Sequence, residues 1–405
     1  MIGAAAAAGG QGDAAPADPL LDLVRDRLVA AQLPADPQAI RVVVRECGVV
    51  LDEAGLARIT QRLRDELHGL GPLDPLLRDP AVTDVLVNRP DEVWVDRGGG
   101  LARAAVRFRD EAAVRALAVR LASQAGRRLD DAQPFVDARL PNGQRLHALI
   151  PPLAVQGTTI SLRVPSRRRF TLADLVRVGT VDAAGARWLE AVVASRVAFL
   201  ISGGTGSGKT SVLGALLGLV PHDERVVIVE DTCELMPEHP HVVSLEARPA
   251  NLEGSGGIEL RTLVRQALRM RPDRLVVGEV RGPEIVDMLA SLNTGHEGGC
   301  GTVHANAAAA VPERVIALAL AAGLPREGVI AQLVAGLEVV IHLARQPNGQ
   351  RVVSELGIVH LDTLGAAGVL PALRRVDGRL RPQVGFDLLA ARLGHPATLV
   401  GPAPS

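Results

Sequence analysis

The sequence predicts an α/β protein: a mostly parallel sheet flanked by helices, preceded by a smaller α+β domain. Three observations predict it. From about residue 180 onward, short apolar runs alternate with helical patterns, the rhythm of strands buried between helices. Between about 70 and 165 the strand-like runs alternate apolar with polar residues and meet at turn signals. The length, 405 residues, suits two or three domains at roughly 150 residues each.

Residues 1–19, rich in alanine and glycine, have neither a basic start nor enough bulk for a signal peptide and read as a disordered tail. From Leu20 the spacing turns helical. Leu20, Leu21, Val24 and Leu28 share one face, and Leu56, Ile59, Leu63 and Leu67 repeat it. Gly69, Gly71 and Pro72 close this extension at about residue 70. DVLVN (84–88) and EVWVD (92–96) then alternate like strands around an Arg-Pro-Asp turn. A helix is predicted over 111–125, with Val114, Leu117, Ala118 and Leu121 on one side. Asn142-Gly143 marks a hairpin within 139–152, and 158–164 is a further strand. SRRRF (166–170) reads as a connector.

In the second domain, strands are predicted at 197–201, 225–230, 242–246, 274–279, 300–305 and 337–344. Helices fall between them, notably at 259–270, 283–293 and 312–323, with Pro283 well suited to a first turn. The strand–helix alternation ends near 345. Residues 346–405 are read as a C-terminal extension and tail.

Composition narrows the function. There are 44 basic against 45 acidic residues, net −1. Tyrosine is absent, with five Phe and two Trp. That argues against a broadly basic nucleic-acid coat and against an aromatic stacking platform for single strands. Cys47, Cys233 and Cys300 lie far apart, which fits neither a disulfide framework nor a CxxC metal site. No run of about 18 apolar residues suggests a membrane span, so a cytoplasmic protein is expected. Of the 44 strong bases, 43 are arginine; the one lysine is Lys209.

That lysine sits in Gly203-Gly204-Thr205-Gly206-Ser207-Gly208-Lys209-Thr210, which fits G-x4-G-K-[ST] between a predicted strand and a predicted helix. Glycines let the backbone approach phosphate closely. Loop N–H groups and the helix N-terminus supply partial positive charge. Lys209 would bring a compact cation to the β/γ-phosphates, and the Thr210 hydroxyl would bind Mg²⁺.

In an open α/β sheet a ligand sits beyond the carboxyl ends of the strands. Polar residues cluster after three predicted strands: Glu230, Asp231 and Glu234; Glu279 and Arg281; and His296, Glu297 and His304. Singly, such residues are commonly helix caps or solvated turns. Together with the phosphate loop they suggest groups that hold metal-bound water or orient an attacking water. An arginine reaching the γ-phosphate can be worth ~10³–10⁵ in rate. Arg139, Arg145 and Arg163 of the preceding domain are candidates for that role.

The runs GGTGSGKT, VEDTCEL, RMRPDRLVVGEVRGPE and LNTGHEGGCGTVHAN resemble the Walker A, Asp box, Walker B and His box of the type II/type IV secretion ATPase superfamily. GLGPLDPLLRDPAVTDVLVNRPDEVWVD and DARLPNGQRLHALIPPLA look like its Tad/CpaF branch, motors for Flp-type pilus assembly, secretion or conjugation-related transfer. The resemblance spans about residues 65–345. It implies a RecA-like motor domain over 171–345 joined to a PAS-like N-terminal domain and linker over 71–170, with the helical extension 20–70 in front. It implies a homo-hexameric ring using ATP and Mg²⁺, with nucleotide between the two domains. It assigns water activation to Glu234. Glu279 is placed near Mg²⁺, with Thr210, Glu230 and Asp231 contributing partly through water. His296 and His304 match the His-box histidines, and Arg139, Arg145 and Arg163 the N-domain arginines.

The resemblance further implies attachment to the inner face of the plasma membrane through polytopic platform proteins, with pilin or another cargo moved indirectly. Direct nucleic-acid binding is not expected, although a DNA translocase or a nucleotide-sensing scaffold remain rivals. The Gly278-Glu279 form of Walker B is common in this family. Arg89 after Asn88 departs from the glycine of relatives. Cys233 and Cys300, close to these boxes, suggest a site open to oxidation.

Overall fold

The structure, a computed structural model, describes residues 19–31, 37–67, 69–164, 169–248 and 255–394. The predicted tail (apart from Pro19), residue 165, residues 166–168 of the connector and everything from 395 lie outside the described residues. The chain divides into two compact units, 1–167 and 168–405.

In the first unit, helices Pro19–Ala30, Pro37–Glu46 and Glu53–Leu67 bury a small core of their own around Val24, Leu28, Ile40 and Leu63. A six-stranded antiparallel sheet follows. Its strands are β1 (Asp84–Arg89), β2 (Glu92–Asp96), β3 (Leu101–Arg103), β4 (Phe135–Arg139), β5 (Arg145–Leu149) and β6 (Thr159–Arg163), in the order β3-β2-β1-β6-β5-β4. Period-two alternation turns Val85, Leu146 and Leu162 to one side, where Val114, Leu117 and Leu121 of helix Glu111–Gln124 cover them. Asp110 caps that helix by accepting from the Ala113 N–H. Gly143 completes the β4–β5 turn at φ +89°, a left-handed conformation that glycine adopts without strain.

Among the described residues the second unit holds nine strands. They are β7 (Phe199–Gly203), β8 (Val226–Glu230), β9 (Val242–Glu246), β10 (Arg274–Val280), β11 (Cys300–His304), β12 (Val339–Arg345), β13 (Arg351–Leu361), β14 (Ala367–Val376) and β15 (Arg379–Pro382). Their order is β15-β14-β13-β12-β7-β11-β10-β8-β9. The six from β12 to β9 run parallel; β13, β14 and β15 add antiparallel.

Parallel strands must be covered on both faces. Phe199, Ile201, Ile228 and Val276 pack on one side against Leu189, Val192, Leu213 and Leu216. Leu200, Val227, Val229 and Val277 pack on the other against Val264, Ile285, Leu289 and Val315.

Residues 346–394 therefore prolong the sheet beyond the parallel strands, through β13–β15 and helix Phe386–Arg392. At its amino edge Arg274, 2% exposed, is held by Glu224 at 2.6 Å and by the Val193 carbonyl at 3.1 Å. A Cβ on Gly298 would strike that guanidinium, so the turn before β11 requires glycine there.

Candidate nucleotide-binding site

The phosphate-loop sequence leaves β7 at Gly203 and enters helix Lys209–Leu217. Gly206 (φ +71°) and Gly208 (φ +94°) take backbone conformations strained for other residues. A Cβ on Gly203 would come within 2.6 Å of the Leu343 carbonyl on the neighbouring β12, so the loop can leave the sheet only as glycine. Gly204, Thr205 and Gly206 are exposed, Gly208 and Thr210 half-buried. Ser207 Oγ is buried without a hydrogen-bond partner, a polar atom that an anion in the loop would satisfy.

Lys209 is buried. Its Nζ donates to the Gly203 and Gly204 carbonyls, each at 3.1 Å, and stands 3.5 Å from His304 Nδ1. Strand register brings the rest. His304 ends β11 opposite Gly203 of β7, and Glu279 lies near the end of β10 beside it. His304 Nε2 lies 2.6 Å from Glu279 Oε1, without the alignment of a hydrogen bond. Arg281 donates to the other carboxylate oxygen. Lys209, His304, Glu279 and Arg281 thus form one chain of contacts at the carboxyl ends of the strands.

The charges in this chain tune one another. Burial would raise the Glu279 carboxyl, but the Arg281 hydrogen bond and charge, with His304 and Lys209, hold it below its ordinary value. Burial lowers both Lys209 and His304; Glu279 opposes this in each, while Arg281 reinforces it. Both shifts favour the uncharged forms.

Glu230 behaves differently. Its carboxylate, 5% exposed, accepts from the Glu234 N–H at 3.2 Å and the Leu235 N–H at 3.1 Å. It fills space that a Cβ on Gly278 would need, 2.4 Å from Glu230 Cγ. The Gly-Glu form of this strand end is thereby explained: glycine makes room for the buried glutamate. The expected role near Mg²⁺ finds Glu230 bonded instead to the backbone of the acidic loop. Asp231 and Glu234 are exposed at the rim. Among the described residues no three His, Cys, Asp or Glu side chains gather as a metal-binding group.

Burial pushes the Glu230 carboxyl up to about 7 from 4.5, against the pull of the two N–H bonds. A carboxyl raised in the folded state holds its proton more tightly there. Its contribution to stability is complete below the unfolded value and is lost as pH rises through about 7. That loss is roughly 3 kcal/mol. Glu230→Gln is expected to flatten the fall in melting temperature between pH 5 and pH 8. Parallel pH profiles for both proteins would refute this.

His296 is not brought to the loop. It precedes β11 at the amino edge, where its Nδ1 lies 3.3 Å from the Ser291 carbonyl. Placing it beyond a strand's carboxyl end fails because Gly298 and Gly299 separate it from a strand that starts only at Cys300. Glu297 shares that edge, 3.9 Å from Arg196. Cys300 does not bear out an oxidation-sensitive site: it is buried, and desolvation pushes its thiol up to about 12, whereas reactivity requires thiolate.

Arg139, Arg145 and Arg163 belong to the first unit. There the cross-strand register sets Arg139 opposite Arg145 and Arg145 opposite Arg163, one row on one sheet face. Arg145 pairs with Asp137 and Arg163 with Asp84. These are exposed pairs of small strength, so the cations can be released at little cost.

One site residue escaped the sequence reading. His342 on β12 is 9% exposed, with Nδ1 2.9 Å from the Oγ of Ser202, the residue before the loop. A lone histidine inside the apolar run VVIHLA was the available signal, since a buried polar side chain needs a partner.

The sequence pattern described as Type II/IV secretion system protein matches residues 66–368. The chain is similar to a conjugal transfer protein of Mycobacterium tuberculosis H37Rv, 55% identical over 303 residues, 73% of this chain and 86% of the relative. It is similar to the type IV secretion system protein VirB11 of Brucella suis, 31% identical over 324 residues, 73% of this chain and 89% of the relative. In fold it resembles the Legionella pneumophila ATPase DotB, with TM-score 0.52 and 19% identity over 72% of this chain and 80% of that one. The architecture is that of a RecA-like motor domain preceded by an N-terminal domain.

Proposed function

Because the chain belongs to the type II/IV secretion system protein family, we propose that it hydrolyses ATP to drive transport through a membrane-bound secretion or pilus machine. The observation that carries the reading is the contact chain Lys209–His304–Glu279–Arg281 at the carboxyl edge of the sheet, joined to the phosphate loop.

Loop N–H groups, the Ser207 hydroxyl and Lys209 would hold the nucleotide phosphates. Thr210 and Glu279 would hold Mg²⁺, Asp231 assisting through water; the half-buried hydroxyl and the buried carboxylate oxygen lacking an aligned partner suit that ion. Mg²⁺ would supply charge neutralisation across the phosphates. Lys209 exchanges its two carbonyl partners for phosphate oxygens. Glu234, at the exposed rim, orients and deprotonates water. His304 lies between Lys209 and Glu279 and can follow the charge on Glu279. Arg139, Arg145 and Arg163 are the proposed N-domain arginines.

We read the working form as a homo-hexamer, cytoplasmic and attached at the inner membrane face through polytopic platform partners of a Tad/CpaF-like system. The upstream run from Gly69 to Asp96 supports that branch. Among the described residues no helix is long and apolar enough to cross a membrane. The conjugal transfer name of the M. tuberculosis relative keeps a second reading in view, a motor acting on DNA.

A steady-state phosphate-release assay, with light scattering in the presence and absence of ATP, tests the proposal. Turnover and a nucleotide-stabilised ring are expected. Binding without turnover would leave a nucleotide sensor instead. Strong DNA stimulation with a steep salt dependence would move the reading to a DNA motor.

A further inference from the structure

We propose that Arg351 is a nucleotide-binding residue, a guanidinium brought to the phosphate loop by the C-terminal strands and directed at the α/β-phosphates. The inference rests on the phosphate-loop reading above.

The register of the sheet places it. β12 runs parallel to β7, with Leu343 opposite Gly203. β12 continues two residues past that level to Arg345, the chain turns at 346–350, and Arg351 opens β13 opposite Arg345. β13 therefore starts beyond the point where β7 gives way to the loop. Contact follows from this placement. A Cβ built on Gly208 would lie 3.4 Å from Arg351 Cδ and 4.0 Å from its Cβ. The aliphatic stem thus rests on the glycine just before Lys209, at the N-terminus of the helix that faces phosphate.

The turn that presents Arg351 is pinned at several points. Gln350 donates to the Val178 and Gly179 carbonyls at 3.4 and 3.2 Å, and Gly349 N–H donates to Gln346 O at 2.8 Å. A residue held on such a turn loses little freedom on binding. The guanidinium itself is uncommitted. Among the described residues the Arg351 side chain makes no hydrogen bond or ion pair, and the residue is exposed. Two other arginines of the C-terminal strands are engaged: Arg374 with Glu355, and Arg375 with the Gly179 and Thr180 carbonyls. An exposed, unpaired planar cation whose stem packs on a phosphate-binding glycine suits the bidentate capture of phosphate oxygens.

The test measures dissociation constants of MgADP and of inorganic pyrophosphate by calorimetry. The proteins are wild type, Arg351→Gln, Arg351→Lys, Arg374→Gln and Lys209→Ala, each with its melting temperature. Arg351→Gln is expected to weaken both ligands about tenfold with an unchanged melting temperature. Arg351→Lys, which keeps stem and charge but not the fork, falls between, and Arg374→Gln binds as wild type.

Unchanged affinity in Arg351→Gln, or equal weakening in Arg374→Gln, overturns the proposal. Weakening of MgADP without weakening of pyrophosphate overturns the phosphate assignment. If Lys209→Ala binds normally, the phosphate-loop reading itself has failed, a result distinguishable from failure at Arg351.

Discussion

Replacing Lys209 by alanine is expected to abolish ATP hydrolysis, a loss of at least about 100-fold in turnover, with little change in melting temperature. The side chain is buried, yet its ammonium contacts only the Gly203 and Gly204 carbonyls and His304. It is a cation held ready at the mouth of the loop, in no direct ion pair among the described residues. Its removal leaves the Gly203 and Gly204 carbonyls without that donor.

Lys209→Arg is expected to fail as well. The pocket between Gly203 O, Gly204 O and His304 admits a compact ammonium, and a planar five-donor fork has other geometric demands. Phosphate release measured beside thermal melts separates the outcomes. Turnover retained in a folded Lys209→Ala protein sinks the assignment of this loop to catalysis. The compositional oddity acquires a reason: a chain that otherwise uses arginine as its cation keeps lysine where a point charge has to enter a glycine cradle.

The parallel strands β7, β8, β10, β11 and β12 were legible because continuous apolar runs such as VAFLI and RVVIVE have few other fates. The ends of those runs carry Glu279 and His304. β13–β15 were not legible. β14 carries Pro371, which in sequence argues against a strand. It is tolerated because Gly357 opposite lies at a register shift, where a Cβ would strike Val369.

His296 was misplaced for a related reason. TGHEGGCGTVHA holds its polar residues together in sequence, but a five-residue strand runs through it. A strand that rises about 3.3 Å per residue carries His304 to one edge of the sheet and leaves His296 at the other. Glu230 was visible as an acid after a strand. Its burial was not, because that depends on a glycine 48 positions later, at Gly278.

The choice of general base follows from the same charges. Glu234→Gln is expected to lower turnover by about 10²–10⁴-fold while MgADP affinity stays near wild type. Glu279→Gln is expected to weaken nucleotide binding in the presence of Mg²⁺ together with turnover. A general base works best when its proton affinity is near that required by the solvent pH. Glu279 fits that role poorly: Arg281, His304 and Lys209 together hold its carboxyl below the ordinary value, which makes it a better anchor for a cation than an acceptor for a proton. Glu234 is exposed at the loop rim, and its backbone N–H is fixed by the buried Glu230. The backbone that carries this side chain is thereby anchored. Turnover and MgADP affinity measured for both variants decide the matter. Normal hydrolysis in Glu234→Gln, with a Glu279→Gln protein that binds MgADP but is dead, transfers the role to Glu279 and requires ligand binding to release it from Arg281.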